Sequence, residues 1–279
     1  MPDKVLGIIG HPIAHSLSPF MHNFAARELG LDYVYAAFDV NPLSLKQAVA
    51  AIKTLGIVGV NVTVPHKERI IQLLDGLEEE AAIIGAVNTL TLKEGRLIGG
   101  NTDGVGFIRS LKAEGINPSG KRVVIIGAGG SSRAIGVSLW RGGAAEITVI
   151  NRSEANGKRL TRHLSSFGRT AFLPSASVAA RDALAGADIV VQTTPLGMKK
   201  GDPLPVPTPI FAKGQLVYDI IYAPGETNLL KLAKKSGAYT MNGLSMLVSQ
   251  GSESFRTWTG HRFPEEKVMK ALKKQLGGK

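Results

Sequence analysis

Cysteine is absent from all 279 residues. Disulfides, thiolate catalysis and cysteine-ligated zinc are therefore excluded. Aromatic residues make up only 6% of the chain, and no basic run carries interleaved aromatics, so nothing points to a nucleic-acid partner. No apolar stretch is long enough to span a membrane. Met1-Pro-Asp-Lys-Val5 has neither the basic region nor the apolar core of a leader segment. The expectation is a cytoplasmic protein without membrane, nucleic-acid or metal partners, either monomeric or a homodimer.

Hydrophobic residues reach 44% and glycine is frequent, which fits a globular α/β protein. The length favours two domains over one. The net charge of +11 is not spread evenly, because residues 104–241 carry 18 Lys and Arg against 8 Asp and Glu. A polyphosphorylated small cofactor accounts for that excess economically; charge kept for solubility is the plainer explanation.

Strand and helix signals alternate along the chain, which predicts parallel sheets with crossover helices. Val5–Ile9, Tyr33–Val40 and Val60–Val64 read as strands. Ser18 and Pro19 read as an N-cap and a first-turn proline, with a helix running to Gly30. Leu43–Leu55 and residues 68–74 read as helices, and residues 86–92 with 97–99 as a hairpin. A second unit begins near Gly104, with strands at 121–126, 147–150, 189–192, 216–220 and 238–241. Beyond Gly243 the pattern is helical.

Gly127-Ala128-Gly129-Gly130-Ser131-Ser132 follows a buried-type strand and precedes a helical pattern. That context marks a Rossmann-type dinucleotide fingerprint. The first glycine permits the turn, the second lets backbone approach a pyrophosphate, and the helix N-terminus favours the negative charge. Ser132 stands where a third Gly or Ala is usual. The next strand ends in Asn151-Arg152-Ser153. A carboxylate for a ribose 2′-hydroxyl is missing there, and a guanidinium suited to a phosphate is present, so NADP is favoured over NAD.

Asn61-Val-Thr-Val-Pro-His-Lys67 places Asn61 and Thr63 on one strand face, with Lys67 at the start of the following helix. A lone lysine after a strand is ordinarily solvated. Beside two aimed polar side chains it is a candidate for proton transfer. Ser16 and Ser18, just before a helix, suit a carboxylate. Asp103 reads either as an N-cap or as part of a ligand site.

The set of motifs resembles the shikimate dehydrogenase family over nearly the whole chain. It comprises residues 15–22, Asn61–Lys67, Gly85–Thr89, Gly100–Asp103, Gly127–Ser131, Asn151-Arg152, Tyr218–Tyr222 and Gly243–Gln250. The resemblance implies NADP-linked interconversion of shikimate and 3-dehydroshikimate, on the route to chorismate and aromatic amino acids. It implies a substrate domain at 1–103, of α/β type with a mixed, mainly parallel sheet. A Rossmann-type NADP domain would follow at 104–242, with helices of 243–279 returning to the first domain.

By the resemblance, Lys67 is the acid/base group and Asp103 its partner. Ser16 and Ser18 hold the substrate carboxylate with Tyr222 nearby, and Asn61, Thr63, Asn88, Asp103 and Gln250 address ring oxygens. Residues 127–131, Asn151, Arg152, Thr193, Thr194, Ile220, Gly243 and Met246 face the cofactor. Asn156, Gln192, Asn242 and Ser245 depart from the family's common pattern. A quinate or dual quinate/shikimate dehydrogenase is the nearest rival, and a non-catalytic NADP-sensing protein is a rival of another class.

Overall fold

The structure is a computed structural model and describes residues 4–277. Contacts divide the chain into two compact units. One holds residues up to Gly106 together with those from Val248 on; the other runs from Phe107 to Leu247.

The first unit contains β1 (Lys4–Gly10), α1 (Ser18–Glu28), β2 (Tyr33–Asp39), α2 (Leu45–Thr54), β3 (Gly59–Val62), β4 (Gly76–Leu77), α3 (Glu79–Ile84), β5 (Thr89–Lys93) and β6 (Arg96–Gly100). α4 (Asp103–Ala113) begins in it. The strands form one sheet in the order β2-β1-β3-β5-β6-β4. β1 pairs in parallel with β2 and β3, and β4 with β6, while β5 is antiparallel to both its neighbours.

Alternation along β1 explains the two cores. Ile9 packs on one face with Leu45, Val49 and Ile52, which share one stripe of α2. Leu6 and Ile8 pack on the other face with Tyr35 and Trp258. Each such aliphatic side chain contributes roughly 1.5–3 kcal/mol on full burial.

The second unit contains β7 (Arg122–Ile126), α5 (Gly130–Arg141), β8 (Glu146–Asn151), α6 (Glu154–Leu164), β9 (Thr170–Pro174), α7 (Val178–Gly186), β10 (Ile189–Gln192), β11 (Leu216–Asp219), α8 (Asn228–Lys235) and β12 (Tyr239–Asn242). α9 (Leu244–Thr259) starts in this unit and ends in the first, and α10 (Glu265–Gly277) belongs to the first. The sheet order is β12-β11-β10-β7-β8-β9, and every pairing is parallel. This is the doubly wound order, with its reversal point between β7 and β10.

Several local expectations are corrected. Ser18 is the first helical residue rather than the N-cap, and Leu17 occupies the cap position. The Ser16 hydroxyl accepts instead, from the Ser18 amide at 3.3 Å. β3 stops at Val62, although the Thr63 amide still donates to Ile9 O at 2.9 Å. Thr63 O accepts from the His66 amide and closes a turn. The next element is a 3₁₀ segment at Arg69–Leu73, not an α-helix. Lys67 therefore sits in a turn just before that segment rather than at the start of an α-helix. β9 carries little strand signal of its own, because Thr-Ala-Phe-Leu-Pro is short, ends in proline and lies at the sheet edge.

His22 on α1 is buried among aromatic rings. It stacks on Tyr35 at 4.3 Å with the planes 6° apart, and Phe255, Trp258 and Phe263 lie within 6 Å. Among the described residues neither ring nitrogen has a hydrogen-bond partner. Burial pushes its pKa down from 6.5 to about 3. An unfolded histidine protonates near pH 6.5 while this one stays neutral, so stability is lost as pH falls below that value, by about 1.4 kcal/mol per pH unit. His22→Phe should flatten this acid limb in urea denaturation measured from pH 7 to pH 4.5. Parallel curves for the two proteins would remove His22 as its cause.

Candidate active site

In the first unit the polar residues converge around Lys67 and Asp103. Lys67 is held by its own backbone, because its carbonyl accepts from the Val87 amide at 2.8 Å. His66 pins the same turn from the other side, with Nε2 donating to Val40 O at 2.7 Å. The Lys67 side chain is 11% exposed, and its Nζ reaches Asp103 Oδ2 at 2.5 Å.

Asp103 opens α4 but does not cap it. Its amide donates to Asn101 Oδ1 at 3.0 Å, and Asn101 Nδ2 donates to Ala86 O at 2.8 Å. The carboxylate is thus left to Lys67 and to Asn88, whose Nδ2 donates to Asp103 Oδ1 at 2.8 Å. Asn88 Oδ1 accepts from the Thr102 amide at 2.8 Å and from the Thr89 hydroxyl at 2.9 Å. Gln250, on α9, brings Oε1 to 3.4 Å from Asn88 Nδ2.

Asn61, Asn88, Asp103 and Gln250 are all buried. Thr63 and Ser16 are half-buried and Ser18 is buried. Tyr222, half-buried, lies in the second unit on the loop after β11.

Residue types alone give no hint of Ser254, which is fully buried on α9. Its Oγ lies 3.1 Å from Asn61 Nδ2 and 2.9 Å from Thr89 Oγ1. The available signal is its spacing, four residues after Gln250, which puts both on one helix face.

In the second unit the glycine turn lies at the sheet's reversal point. Gly127 has φ +114° and follows β7 directly. Thr193, after β10, donates from Oγ1 to Ile126 O at 2.7 Å and also meets Ser132 Oγ at 2.7 Å. Ser132 Oγ accepts from the Gly129 amide at 3.1 Å. The serine at the third fingerprint position thus ties the turn to β10. A Cβ on Gly129 would meet nothing among the described residues within 4 Å, so the backbone at the start of α5 is open to a phosphate. The residues fit a dinucleotide.

Asn151 Nδ2 donates to Ser153 O at 2.8 Å, and Arg152 is exposed in the bend before α6. Glu154, the carboxylate nearest in sequence, pairs with Lys158 at 2.5 Å. Gly243 packs against the Ile220 carbonyl, where a Cβ would collide, and Met246 is buried.

Gln192 is fully buried and builds the loop behind Thr193 and Thr194. Its Oε1 accepts from the Thr194 amide at 2.5 Å, and its Nε2 donates to Thr194 O at 2.9 Å and to Leu196 O at 3.1 Å. Asn242 Nδ2 donates to Gly225 O at 2.9 Å, and its Oδ1 accepts from the Leu244 amide at 3.1 Å.

A doubly wound parallel sheet with a glycine turn, together with a half-buried lysine paired to a buried carboxylate and ringed by amides, defines the class: a nicotinamide-dinucleotide dehydrogenase of α/β type. Three family profiles match the chain. They are a shikimate dehydrogenase substrate binding domain over residues 8–90, shikimate / quinate 5-dehydrogenase over 111–196, and a shikimate 5′-dehydrogenase C-terminal domain over 243–273. The chain belongs to the shikimate dehydrogenase family.

It is 44% identical to shikimate dehydrogenase (NADP(+)) of Symbiobacterium thermophilum, over 99% of this chain and 96% of that protein. The Thermus thermophilus shikimate 5-dehydrogenase in complex with NADP(H) and shikimate is 35% identical with TM-score 0.86, covering 97% of this chain and 98% of that one. Quinate dehydrogenase from Corynebacterium glutamicum in complex with NAD is 31% identical with TM-score 0.86, covering 96% and 98%. Among the described residues no group of three or more His, Asp or Glu side chains is placed to hold a metal, and no helix is long and apolar enough to cross a membrane.

Asp219 ends β11 without exposure to solvent. Its Oδ2 accepts from the Thr227 hydroxyl at 2.7 Å and its Oδ1 from the Ile221 amide at 3.1 Å. Burial nevertheless raises its pKa from 3.8 to about 6. Between those values the folded chain keeps a proton that the unfolded chain releases. Stability from this group therefore falls as pH rises through the window, by about 1.4 kcal/mol per pH unit. Asp219→Asn cannot titrate. Its melting temperature relative to wild type should climb between pH 4 and pH 6.5 in thermal scans, and a constant difference would refute the assignment.

Proposed function

We propose that this chain is an NADP-linked shikimate dehydrogenase, reducing 3-dehydroshikimate to shikimate and running the reverse oxidation. The reaction stands on the route to chorismate and the aromatic amino acids. The observation that carries the reading is the half-buried Lys67 ammonium in contact with Asp103, inside a ring of buried amides. NADPH supplies the hydride when bound.

Lys67 handles the proton. In reduction its ammonium gives a proton to the oxygen of the developing alkoxide; in oxidation the neutral amine takes the hydroxyl proton. Asp103 holds Nζ in place and is itself fixed by Asn88. Asn61, Thr63, Asn88 and Gln250 bind ring oxygens, while Ser16 and Ser18 bind the carboxylate. The first unit is the substrate domain and the second the cofactor domain. Gly127–Ser131 receive the pyrophosphate. Arg152 takes the 2′-phosphate, a role that Glu154 does not oppose because Lys158 neutralises it.

General acid–base help of this kind is worth ~10²–10⁴ in rate. Lys67→Ala should lower kcat by about that factor while leaving KM for shikimate within a few-fold. A rise in KM alone would make Lys67 a binding residue.

The substrate assignment is tested by the absorbance of reduced cofactor formed from shikimate and from quinate, each with NADP and with NAD. The fastest turnover is expected from shikimate with NADP. Quinate carries an extra hydroxyl on the carbon that bears its carboxylate, and faster turnover of quinate would move the chain to the neighbouring activity. No turnover of either would leave a cofactor-binding protein.

A further inference from the structure

Asn61 is oriented at both ends of its amide, by a backbone carbonyl and a buried serine at the nitrogen and by a tyrosine hydroxyl at the oxygen. Its Nδ2 donates to the backbone carbonyl of Asn88 at 3.1 Å. A carbonyl can only accept, so the nitrogen must face it and the amide cannot be turned over. The second Nδ2 proton goes to Ser254 Oγ at 3.1 Å, with Thr89 Oγ1 more distant at 3.4 Å. Ser254 accepts it because an amide N–H can only donate, and the serine's own proton has Gln250 O at 3.2 Å and Thr89 Oγ1 at 2.9 Å within reach. At the other end of the amide, the Tyr35 hydroxyl donates to Asn61 Oδ1 at 2.8 Å. Every member of this group lies in the first unit.

An amide has two N–H donors and two oxygen lone pairs. Asn88 O and Ser254 Oγ occupy both donors, and Tyr35 occupies one lone pair. One lone pair on Oδ1 is left among the described residues. We propose that Ser254, with Tyr35, is a positioning residue that fixes Asn61 to present only an oxygen acceptor to the substrate. Asn61 then selects a ring hydroxyl, which can donate, and discriminates against a ring position that bears only an acceptor or no oxygen. This deepens the shikimate dehydrogenase reading and rests on it.

Without the Ser254 hydroxyl, a buried N–H loses its acceptor, a state that folded proteins avoid. The Asn61 side chain then turns to find another partner and takes its oxygen out of register. The loss falls first on substrate recognition, because Ser254 bonds Asn61 directly but reaches Asp103 only through Thr89 or Thr102 and then Asn88, while the Lys67 backbone is held by Val87.

The test is steady-state kinetics on the full chain for wild type, Ser254→Ala, Asn61→Ala and the double variant, with shikimate and NADP. Ser254→Ala should raise KM for shikimate about tenfold and change kcat and KM for NADP less than threefold. In the Asn61→Ala background the same change should have almost no further effect, since Ser254 acts through Asn61. Tyr35→Phe should reproduce the rise in KM from the other end of the amide. A Ser254→Ala enzyme within twofold of wild type overturns the proposal. So does an effect of equal size with and without Asn61, which would mark Ser254 as a packing residue. Absence of wild-type turnover with shikimate instead defeats the underlying functional reading, and is seen before any variant is made.

Discussion

The first unit depends on Asn88. Its side chain gathers Asp103, Thr102 and Thr89, and its main chain bonds to Val62 and Gly100. One residue therefore joins β3, β6 and the start of α4 at the point where the chemistry is expected. A buried amide of this kind is costly unless every donor and acceptor is met. Meeting them all at once leaves the surrounding carboxylate and amides a single arrangement. The Lys67–Asp103 contact is a product of that arrangement: Asp103 has its carboxylate free of capping duty because Asn101 holds its amide.

The second unit solves a related problem with a hydroxyl in place of a small side chain. Ser132 stands where the fingerprint usually has Gly or Ala, and it bonds to the Gly129 amide and to Thr193. Gln192, another departure from the common pattern, secures the neighbouring loop through three main-chain contacts. Ser132 exchanges bare close packing for hydrogen bonding while keeping the turn open at Gly129. The two pH-responsive groups act in opposite senses, since His22 costs stability toward acid and Asp219 toward neutrality. They lie in different units, so the pH of greatest stability need not be shared by the two.

Much of the architecture is legible in the sequence because the signals are local. Glycine after a buried strand, an arginine where a carboxylate is usual, and alternating apolar residues each report on one short segment. The features that escape are set by tertiary contacts. Ser18 looks like a cap in isolation, but the backbone enters the helix one residue earlier and Ser16 does the accepting. Residues 68–74 carry helical spacing, yet His66 ties the turn to Val40 and the segment tightens into 3₁₀ geometry. Lys67 stands where local spacing promises the start of a helix, and it sits in a turn instead. Its fixed position comes from Val87, 20 residues on, which no local pattern reveals. Ser254 is a plain helical serine until Asn61 is placed against it.

That last contact spans 193 residues, and the order of synthesis gives it a consequence. The strands of the first unit leave the ribosome early, but the partner of Asn61 is made 193 residues after it. The second unit is continuous from Phe107 to Leu247 and has all its strands before Ser254 is translated. A nascent chain therefore carries an incomplete N-terminal unit, with unmet buried amides, beside a C-terminal unit free to close. Long-range pairing of this kind is slow and exposes surface prone to aggregation. Chains truncated within α9 would be left in that condition permanently.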